Sequence, residues 1–229
     1  MTPTYDRHVA TEPPATPWVF PSLEDAEPEG PVAIGGDLEP GTLLSAYRSG
    51  LFPMPVGRRG RLGWWSPDPR AILPVEGFHR SRSLQRSMRH FELRVDTAFE
   101  SVVRACGDPR RPHGWITPEI VEAYVRLHDL GWAHSIETWH DDQLVGGLYG
   151  VGIGAFFAGE SMFHHRTDAS KAAVAGLAAL MAGTPHALVD VQWSTPHLAS
   201  LGVIEIERGD YLDRLRVAVN EPGPPALGG

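Results

Sequence analysis

The sequence predicts an α+β fold, in which a small N-terminal domain over residues 17–67 precedes a larger domain over residues 68–218. Residues 134–160 alternate between apolar and polar side chains in segments separated by turn residues, which is typical of an antiparallel meander. An Ala-rich helical segment and then an apolar strand follow, an order that favours α+β over a regular βαβ repeat. The 229 residues, 42% of them hydrophobic, suffice for one sizeable core or a small domain attached to a larger one.

The N-terminal part contains few regular elements. Residues 1–16 and 219–229 are rich in Pro and Gly, and we expect both to be flexible tails. Residues 17–36 are typical of loop with short extended pieces. A helix is predicted over 40–49, with Gly50 as its terminator.

Residues 64–70, WWSPDPR, connect the two predicted domains. Pro67 and Pro69 each fix φ and remove a backbone donor, so we expect an extended, rigid connector and not a helix or central strand. Adjacent side chains of an extended chain point to opposite sides. At most one of Trp64 and Trp65 therefore faces a given core, and the other packs across a domain junction or against a ligand.

The larger domain begins with three predicted helices, over 81–90, 97–106 and 118–130. The last has a capping Thr117 before it and Gly131 after it. The first carries Arg82, Arg86 and Arg89 on one stripe, preceded by Arg80. Such a stripe is either an ordinary solvated face or, in an acidic protein, a place for a phosphate backbone.

The C-terminal elements complete the predicted α+β domain. Asp168 can cap an Ala-rich helix that runs to residue 182 and stops at Gly183. The remaining predictions are meander strands over 134–139, 144–149 and 155–160 with turns at 141–142 and 152–154, a strand over 187–193, a short helix over 196–201 and a strand over 203–207. This order matches an acyl-CoA N-acyltransferase-like (GNAT-like) domain.

Composition narrows the functional classes. The net charge of −8 argues against a protein that binds nucleic acid through bulk charge, so RNA would need a local basic patch. The single cysteine, Cys106, excludes an intramolecular disulfide and a Cys-based zinc site, and we expect an inert packing thiol. Neither a signal peptide nor an apolar run of about 20 residues is visible, so we expect a cytoplasmic protein that does not enter a membrane. Histidine spacing predicts no metal site.

Two acidic positions in apolar strands are candidates for chemistry. In the strand over 187–193, alternation places Asp190 and Gln192 on one face, and Val189, Val191 and Trp193 on the other. Glu160 follows an apolar stretch in the third meander strand. A buried carboxylate needs partners or a task. Asp190 and Glu160 could bind a cation or an amine, act as a glycosidase pair, or be satisfied structural groups.

The sequence resembles the leucyl/phenylalanyl-tRNA–protein transferase family through a collinear set of motifs between residues 19 and 212. These motifs are GGDL at 35–38, AY at 46–47, GLFP at 50–53, WWSPDPR at 64–70, HRSRS at 79–83, WIT at 115–117, AHSIE at 133–137, LVGGLYG at 144–150, GESMF at 159–163, ASK at 169–171, DVQ at 190–192, HL at 197–198 and SLG at 200–202. Several of these motifs are individually rare.

The resemblance implies an enzyme that transfers Leu or Phe, and Met less well, from aminoacyl-tRNA to proteins with N-terminal Arg or Lys. The products would be degraded by the N-degron (N-end rule) route. It also implies a GNAT-like catalytic domain without CoA, metal or other cofactor, and we expect a monomer. The bulky loop over 161–168 fits the absence of CoA, because it lacks the glycines that would cradle a diphosphate.

The resemblance also assigns roles to residues. Trp115 would stack on the terminal adenine of the tRNA, and the stripe of Arg82, Arg86 and Arg89, with Arg80, is our candidate for contact with the tRNA backbone. The donor side chain would bind an apolar pocket of Leu148, Phe157, Met162 and Leu177. Glu160 and Asp190 would hold the cationic acceptor, and Gln192 would orient its amine.

Two questions stay open at this point. The proton acceptor could be Asp190 acting with Gln192, a ribose hydroxyl of the tRNA, or none at all if positioning suffices. Met54, His164 and Val191 replace the Trp, Ser and Cys that are usual in the family, and Met54 puts a second stacking platform in doubt.

The rival functions are a Fem-type ligase, for which the chain is short, a CoA-dependent N-acetyltransferase, and a non-catalytic RNA-binding module.

Overall fold

A computed structural model describes residues 10–57, 60–110 and 114–228; residues 1–9 of the expected N-terminal tail and Gly229 lie outside this range. The strands are β1 (Pro31–Ile34), β2 (Phe52–Val56), β3 (Arg61–Trp65), β4 (Arg70–Leu73), β5 (Glu92–Val95), β6 (Ala133–His140), β7 (Gln143–Ile153), β8 (Phe156–His164), β9 (Leu188–Gln192) and β10 (Ile204–Ile206). The α-helices are α1 (Pro40–Arg48), α2 (Arg82–Ser87), α3 (Phe99–Cys106), α4 (Pro118–Asp129), α5 (Ala169–Met181), α6 (Pro196–Ala199) and α7 (Arg208–Ala218).

The strands form two sheets, so the fold is mixed α and β as expected. A three-stranded antiparallel sheet has the order β1-β3-β2. A seven-stranded sheet has the order β10-β4-β9-β8-β7-β6-β5, and all its pairs are antiparallel except β8 with β9. The predicted meander is therefore present as β6, β7 and β8.

The expectation of a rigid connector over 64–70 is wrong at both ends. Trp64 and Trp65 end β3, the central strand of the small sheet, and Arg70 begins β4. Aromatic residues favour strands, and the two prolines constrain only the chain between β3 and β4. The alternation argument does hold, because Trp64 is buried in the core while the half-buried Trp65 meets the ring of Trp193 edge-on at 6.2 Å.

Several predicted boundaries also differ from the structure. Gly152 lies inside β7, not in a turn, and Glu160 lies in the middle of β8, not at a strand end. Asp168 does not cap α5 with its side chain; it adopts a left-handed backbone conformation and accepts a hydrogen bond from Ser87 Oγ at 2.8 Å. The predicted helix over 81–90 is α2 followed by a 3-10 turn, Met88–His90.

Both chain ends pack against the molecule within the described residues. Ala226 and Leu227 are buried, so the expected flexible tail does not fit residues 220–228. Near the other end, Thr11 N–H donates to Leu130 O at 2.8 Å, and Trp132 Nε1–H donates to Thr11 O at 2.8 Å. Ala226 and Leu227 are buried and Thr11 is held by hydrogen bonds, and the Pro and Gly content of these segments does not indicate either.

The large sheet separates two hydrophobic clusters. One cluster joins the sheet to α1, α3, α4, α7 and the small sheet, and includes Tyr47, Tyr124 and Tyr211. The other joins the opposite face to α2 and α5, and includes Leu84 and Leu177. We call the sheet face with the first cluster the tyrosine face, and the sheet face with the second cluster the α5 face. Within the described residues, no helix is both long and apolar enough to cross a bilayer.

Candidate functional site

A cavity of about 240 Å³ opens on the α5 face where β8 and β9 stop pairing. The parallel ladder joins Phe156–Ala158 to Leu188–Asp190 only, although both strands continue. Its lining is mostly apolar, and its polar members are Glu160, Ser161, Gln192 and Thr195. The lining residues are Leu73, Leu148, Gly159, Glu160, Ser161, Met162, Val174, Leu177, Val189, Val191, Gln192, Thr195 and Leu198.

A β-bulge in β8 places Glu160 at this cavity. Ser161 pairs with Tyr149 and Gly159 pairs with Gly150, so Glu160 has no partner on β7. An extra residue resets the alternation of side chains along a strand. Phe157 and Met162, five positions apart, consequently both pack in the cluster on the α5 face.

The structure brings together the residues expected to bind the donor side chain. Leu148, Met162 and Leu177 line the cavity, and Phe157 is fully buried in the same cluster. Five further apolar residues line the cavity that were not expected there: Leu73, Val174, Val189, Val191 and Leu198. Spacing could have indicated two of them, since Val174 precedes Leu177 by three positions on α5 and Val189 shares a strand face with Val191.

Glu160 is half-buried and connects the cavity to the tyrosine face. Its Oε2 accepts a hydrogen bond from Tyr124 Oη at 2.9 Å, and the Tyr124 hydroxyl in turn forms a short hydrogen bond with the Tyr47 hydroxyl. Burial raises the pKa of Glu160 to about 7, with a contribution from the Asp190 charge, while the tyrosines and Arg70 oppose the shift. Burial also raises the pKa of both tyrosines, so their hydroxyls stay protonated and can donate.

Asp190 is fully buried and does not line the cavity. Its Oδ1 accepts from Arg70 Nε at 2.9 Å, and its Oδ2 accepts from Arg70 Nη2 at 2.7 Å and from Tyr211 Oη at 3.0 Å. Oδ1 also accepts from the backbone N–H of Gln192 at 2.9 Å. Asp190 and Gln192 were expected to face the cavity together, but only Gln192 does so.

A turn at the end of β9 explains the difference. Gln192 has a φ of 61°, outside the extended region, so the strand's alternation ends there. The Gln192 amide lies beside Glu160, with Nε2 at 3.5 Å from Oε1. Trp193, expected to share a face with Val189 and Val191, instead packs edge-on against Phe52 with ring centroids 5.0 Å apart.

Arg70 is a functional candidate that its sequence context did not indicate. It is 1% exposed, and its guanidinium lies over the rings of Phe52 and Tyr211. Burial opposes its charge, but the Asp190 carboxylate outweighs this and holds the pKa of Arg70 above its usual value. The only signal in the sequence is a cation at the start of an apolar strand, and its partner is 120 positions away.

The residues expected to contact tRNA lie outside the cavity. Trp115 is half-buried against the cluster on the tyrosine face. Arg80, Arg82, Arg86 and Arg89 are all exposed. The basic residues His164, Lys171 and His197 lie near one another beside α5 and α6. Burial lowers the pKa of His197, and the charges of Lys171 and His164 lower it further.

Comparisons with known proteins show the family to which this chain belongs. A model of the family described as leucyl/phenylalanyl-tRNA protein transferase matches residues 72–216, and the model of that family's N-terminal domain matches residues 36–68. A protein named leucyl/phenylalanyl-tRNA–protein transferase from Aromatoleum aromaticum is 49% identical over 220 residues, covering 91% of this chain and 92% of that protein. One of the same name from Thiobacillus denitrificans is 50% identical over 212 residues, covering 90% and 92%. The resemblance seen in the motifs is confirmed, and the chain belongs to the leucyl/phenylalanyl-tRNA–protein transferase family of enzymes.

Proposed function

We propose that this transferase moves Leu, Phe and, less well, Met from aminoacyl-tRNA to the α-amino group of proteins that begin with Arg or Lys, and that the products enter N-end-rule degradation. The observation that carries this proposal is an apolar cavity whose wall contains a carboxyl group with a pKa of about 7. An apolar cavity beside a titratable acid suits an uncharged donor side chain and an amine nucleophile.

The cavity determines which donors are accepted. Leu148, Met162 and Leu177 offer apolar contact, and Glu160 is the one ionisable residue among the described residues that line the cavity. A pocket of this kind rejects polar aminoacyl groups but separates similar apolar groups by only about 1–3 kcal/mol per methylene. Loose selectivity among Leu, Phe and Met follows from that small difference.

In the proposed reaction, the α-amine attacks the carbonyl carbon of the aminoacyl ester. The ionised Glu160 carboxylate accepts one proton from the α-ammonium group, which makes its lone pair available. A C–N bond then forms, the bond to the ribose oxygen breaks, and a second proton passes from the nitrogen to that departing oxygen. An α-amino group has an ordinary pKa of about 7.7–8.0, close to that of Glu160, so the first transfer is nearly balanced.

Gln192 and Asp190 act beside Glu160 in this scheme. The Gln192 side chain cannot titrate, but its carbonyl can accept a hydrogen bond from the amine and orient it. Asp190 is enclosed by Arg70 and Tyr211, so it acts on the acceptor through the Gln192 backbone, whose N–H it binds at 2.9 Å. Asp190 is thus a positioning residue, and Glu160 is the group that meets the amine.

The tRNA would lie across the surface outside the cavity. The four exposed arginines at 80, 82, 86 and 89 are suited to phosphate contacts, and Trp115 remains our candidate for adenine stacking. We further propose a GNAT-like larger domain over 68–218 that uses no CoA, with the small domain over 17–67, in a monomeric cytoplasmic enzyme. The bulky residues 161–168 before α5 support this, because they leave no Gly-rich cradle for a diphosphate.

A transfer assay tests the proposal. Leucyl-tRNA carrying labelled Leu is incubated with the protein and a peptide that starts with Arg, and we expect labelled Leu-Arg peptide. The same peptide with an acetylated N-terminus is the control and should give none. Transfer from acetyl-CoA, or equal binding of charged and uncharged tRNA without any transfer, would contradict the proposal.

A further inference from the structure

Trp193 is an exposed aromatic residue at the edge of the site, with no role assigned so far. It follows Gln192 directly and is 39% exposed. Its ring packs edge-on against Phe52, with centroids 5.0 Å apart, and against Trp65 at 6.2 Å. Residues of β2 and β3 therefore contact the indole, and part of it stays open to solvent.

The turn at Gln192 is what places Trp193 there. The backbone N–H of Trp193 donates to Val191 O at 2.7 Å, closing a tight turn around the left-handed Gln192. Continued alternation would direct Trp193 towards the cavity, where Val189 and Val191 lie. The indole is instead on the opposite side of Gln192, next to the small sheet, so the donor cavity stays unobstructed.

The charges around Trp193 favour a cation as its ligand. The buried cation Arg70 lies over the ring of Phe52, which also contacts Trp193, and Arg70 is already paired with Asp190. Glu160, in contrast, has its carboxyl group at the cavity wall beside Gln192. A Trp face attracts cations more strongly than other aromatic rings do, and a planar guanidinium can also stack on it.

We propose that Trp193 is a specificity-determining residue that packs against the cationic side chain of the acceptor's first residue, while that residue's α-amine lies at Glu160 and Gln192. This inference rests on the proposed function. The geometry of a flat, half-exposed indole favours an N-terminal Arg over an N-terminal Lys, because the guanidinium gains stacking as well as charge attraction.

The test compares Trp193→Leu with the unchanged enzyme in steady-state transfer to peptides that begin with Arg, Lys or citrulline, a neutral isostere of Arg. We expect the KM for the Arg peptide to rise about 3- to 30-fold, with the KM for leucyl-tRNA unchanged. Trp193→Phe should lie between the two. The preference for Arg over Lys and over citrulline should shrink in Trp193→Leu.

Trp18→Leu is the matched control, because Trp18 is also an exposed indole, at 49%, and lies outside the cavity lining. It should leave both KM values unchanged. Calorimetric binding of the Arg peptide to each variant requires no turnover, so it tests Trp193 even if the transfer reaction fails. Failure of the proposed function would instead appear as no Leu-peptide product from the unchanged enzyme with any acceptor.

Three results would overturn the inference. An equal loss for the Arg and citrulline peptides would mean that the indole makes an apolar contact without recognising charge. A raised KM for leucyl-tRNA with an unchanged acceptor KM would assign the indole to the donor nucleotide. Unchanged peptide binding in Trp193→Leu, with native circular dichroism, would remove Trp193 from the site altogether.

Discussion

Glu160 lines the cavity and is also half-buried, and this burial raises the pKa of its carboxyl group. Because that pKa is raised to about 7, the carboxyl group is protonated below neutrality and cannot accept a proton there. We expect kcat/KM to rise with pH through an inflection near 7 that Glu160→Gln abolishes, leaving only the titration of the acceptor amine. Measurement of kcat/KM from pH 5.5 to 9 for both proteins separates the two titrations.

Tyr124 offers a finer test of the same group. Its hydrogen bond to Glu160 Oε2 stabilises the ionised carboxylate. Tyr124→Phe removes this donor, so the pKa of Glu160 should rise further and the inflection should move to higher pH. An inflection that stays in place in this variant would show that the observed titration belongs to another group.

The same pKa predicts how stability depends on pH. A carboxyl group whose pKa is higher in the folded than in the unfolded state favours folding at low pH, and this contribution is lost as pH rises from about 4.5 to about 7. Glu160→Gln should therefore match the unchanged protein at pH 4.5 and exceed it by about 1–3 kcal/mol at pH 8. Urea denaturation at both values measures this, and an equal difference at the two pH values would contradict it.

Asp190 is the second residue whose neighbours define its role. It is the counterion of Arg70, and both side chains are buried. Removing one partner of such a pair leaves an uncompensated charge and costs about 3–5 kcal/mol. Asp190→Ala should lower both stability and transfer, the latter at least about 10-fold.

A more conservative substitution separates the structural role of Asp190 from its role in transfer. Asp190→Asn keeps the shape and one acceptor oxygen for the Gln192 N–H, so it should be more stable than the Ala variant. If Asp190 positions Gln192, the Asn variant should retain more turnover than the Ala variant when both are measured well below their melting temperatures. Equal and near-normal turnover in the two variants would remove Asp190 from the site.

The bulge in β8 is the element on which the site depends. It requires close approach of the strands at Gly150, where a Cβ would lie 2.1 Å from Ala158 O and within 3 Å of the Phe157 ring. Gly150→Ala should therefore displace Glu160, lower transfer strongly and destabilise the fold by about 1–3 kcal/mol. Gly209→Ala on α7 is the control, because its Cβ would meet no atom within 4 Å and the residue lies outside the cavity lining. Similar transfer rates in the two variants would contradict a role for the bulge.

Elements whose apolar residues recur with a clear strand or helix period could be predicted from the sequence, and the others could not. The meander and α5 have strong periodic patterns, and both are present. The helix α7 was missed because its buried residues Tyr211, Leu215 and Ala218 are interleaved with charged ones, which weakens the apolar pattern. The strands β2, β3 and β4 were missed because prolines within or beside them suggested loop, although those prolines leave the pairing intact.

The candidate site shows the same limit. Residue type and spacing pointed to Glu160, Gln192 and the apolar pocket, because these are local features. Pairing of Arg70 with Asp190 joins positions 120 apart, and no periodicity predicts a contact of that kind. The turn at Gln192, which separates Asp190 from the cavity and places Trp193, depends on a single backbone angle that strand alternation does not anticipate.

At the scale of the whole molecule, Arg208 at the start of α7 joins the C-terminal part to the N-terminal segments. Its guanidinium is almost fully buried and donates to the backbone oxygens of Ala26, Glu27 and Ser66. Its backbone N–H donates to Asp68 Oδ1 at 3.0 Å. One side chain therefore satisfies three carbonyl groups that flank the small sheet, which supplies Phe52 and Trp65 to the edge of the site.

Replacing this side chain should loosen the N-terminal segments. Arg208→Met keeps the aliphatic stem but leaves the three carbonyls without their donor, and we expect a loss of about 2–4 kcal/mol in the free energy of unfolding. Arg216→Met on the same helix is the control, because that side chain is 74% exposed and pairs only at the surface with Asp213. Hydrogen exchange should show faster opening of residues 26–35 and 61–66 in Arg208→Met alone. Equal exchange in the two variants would mean that the small sheet is held in place by its apolar packing, without help from Arg208.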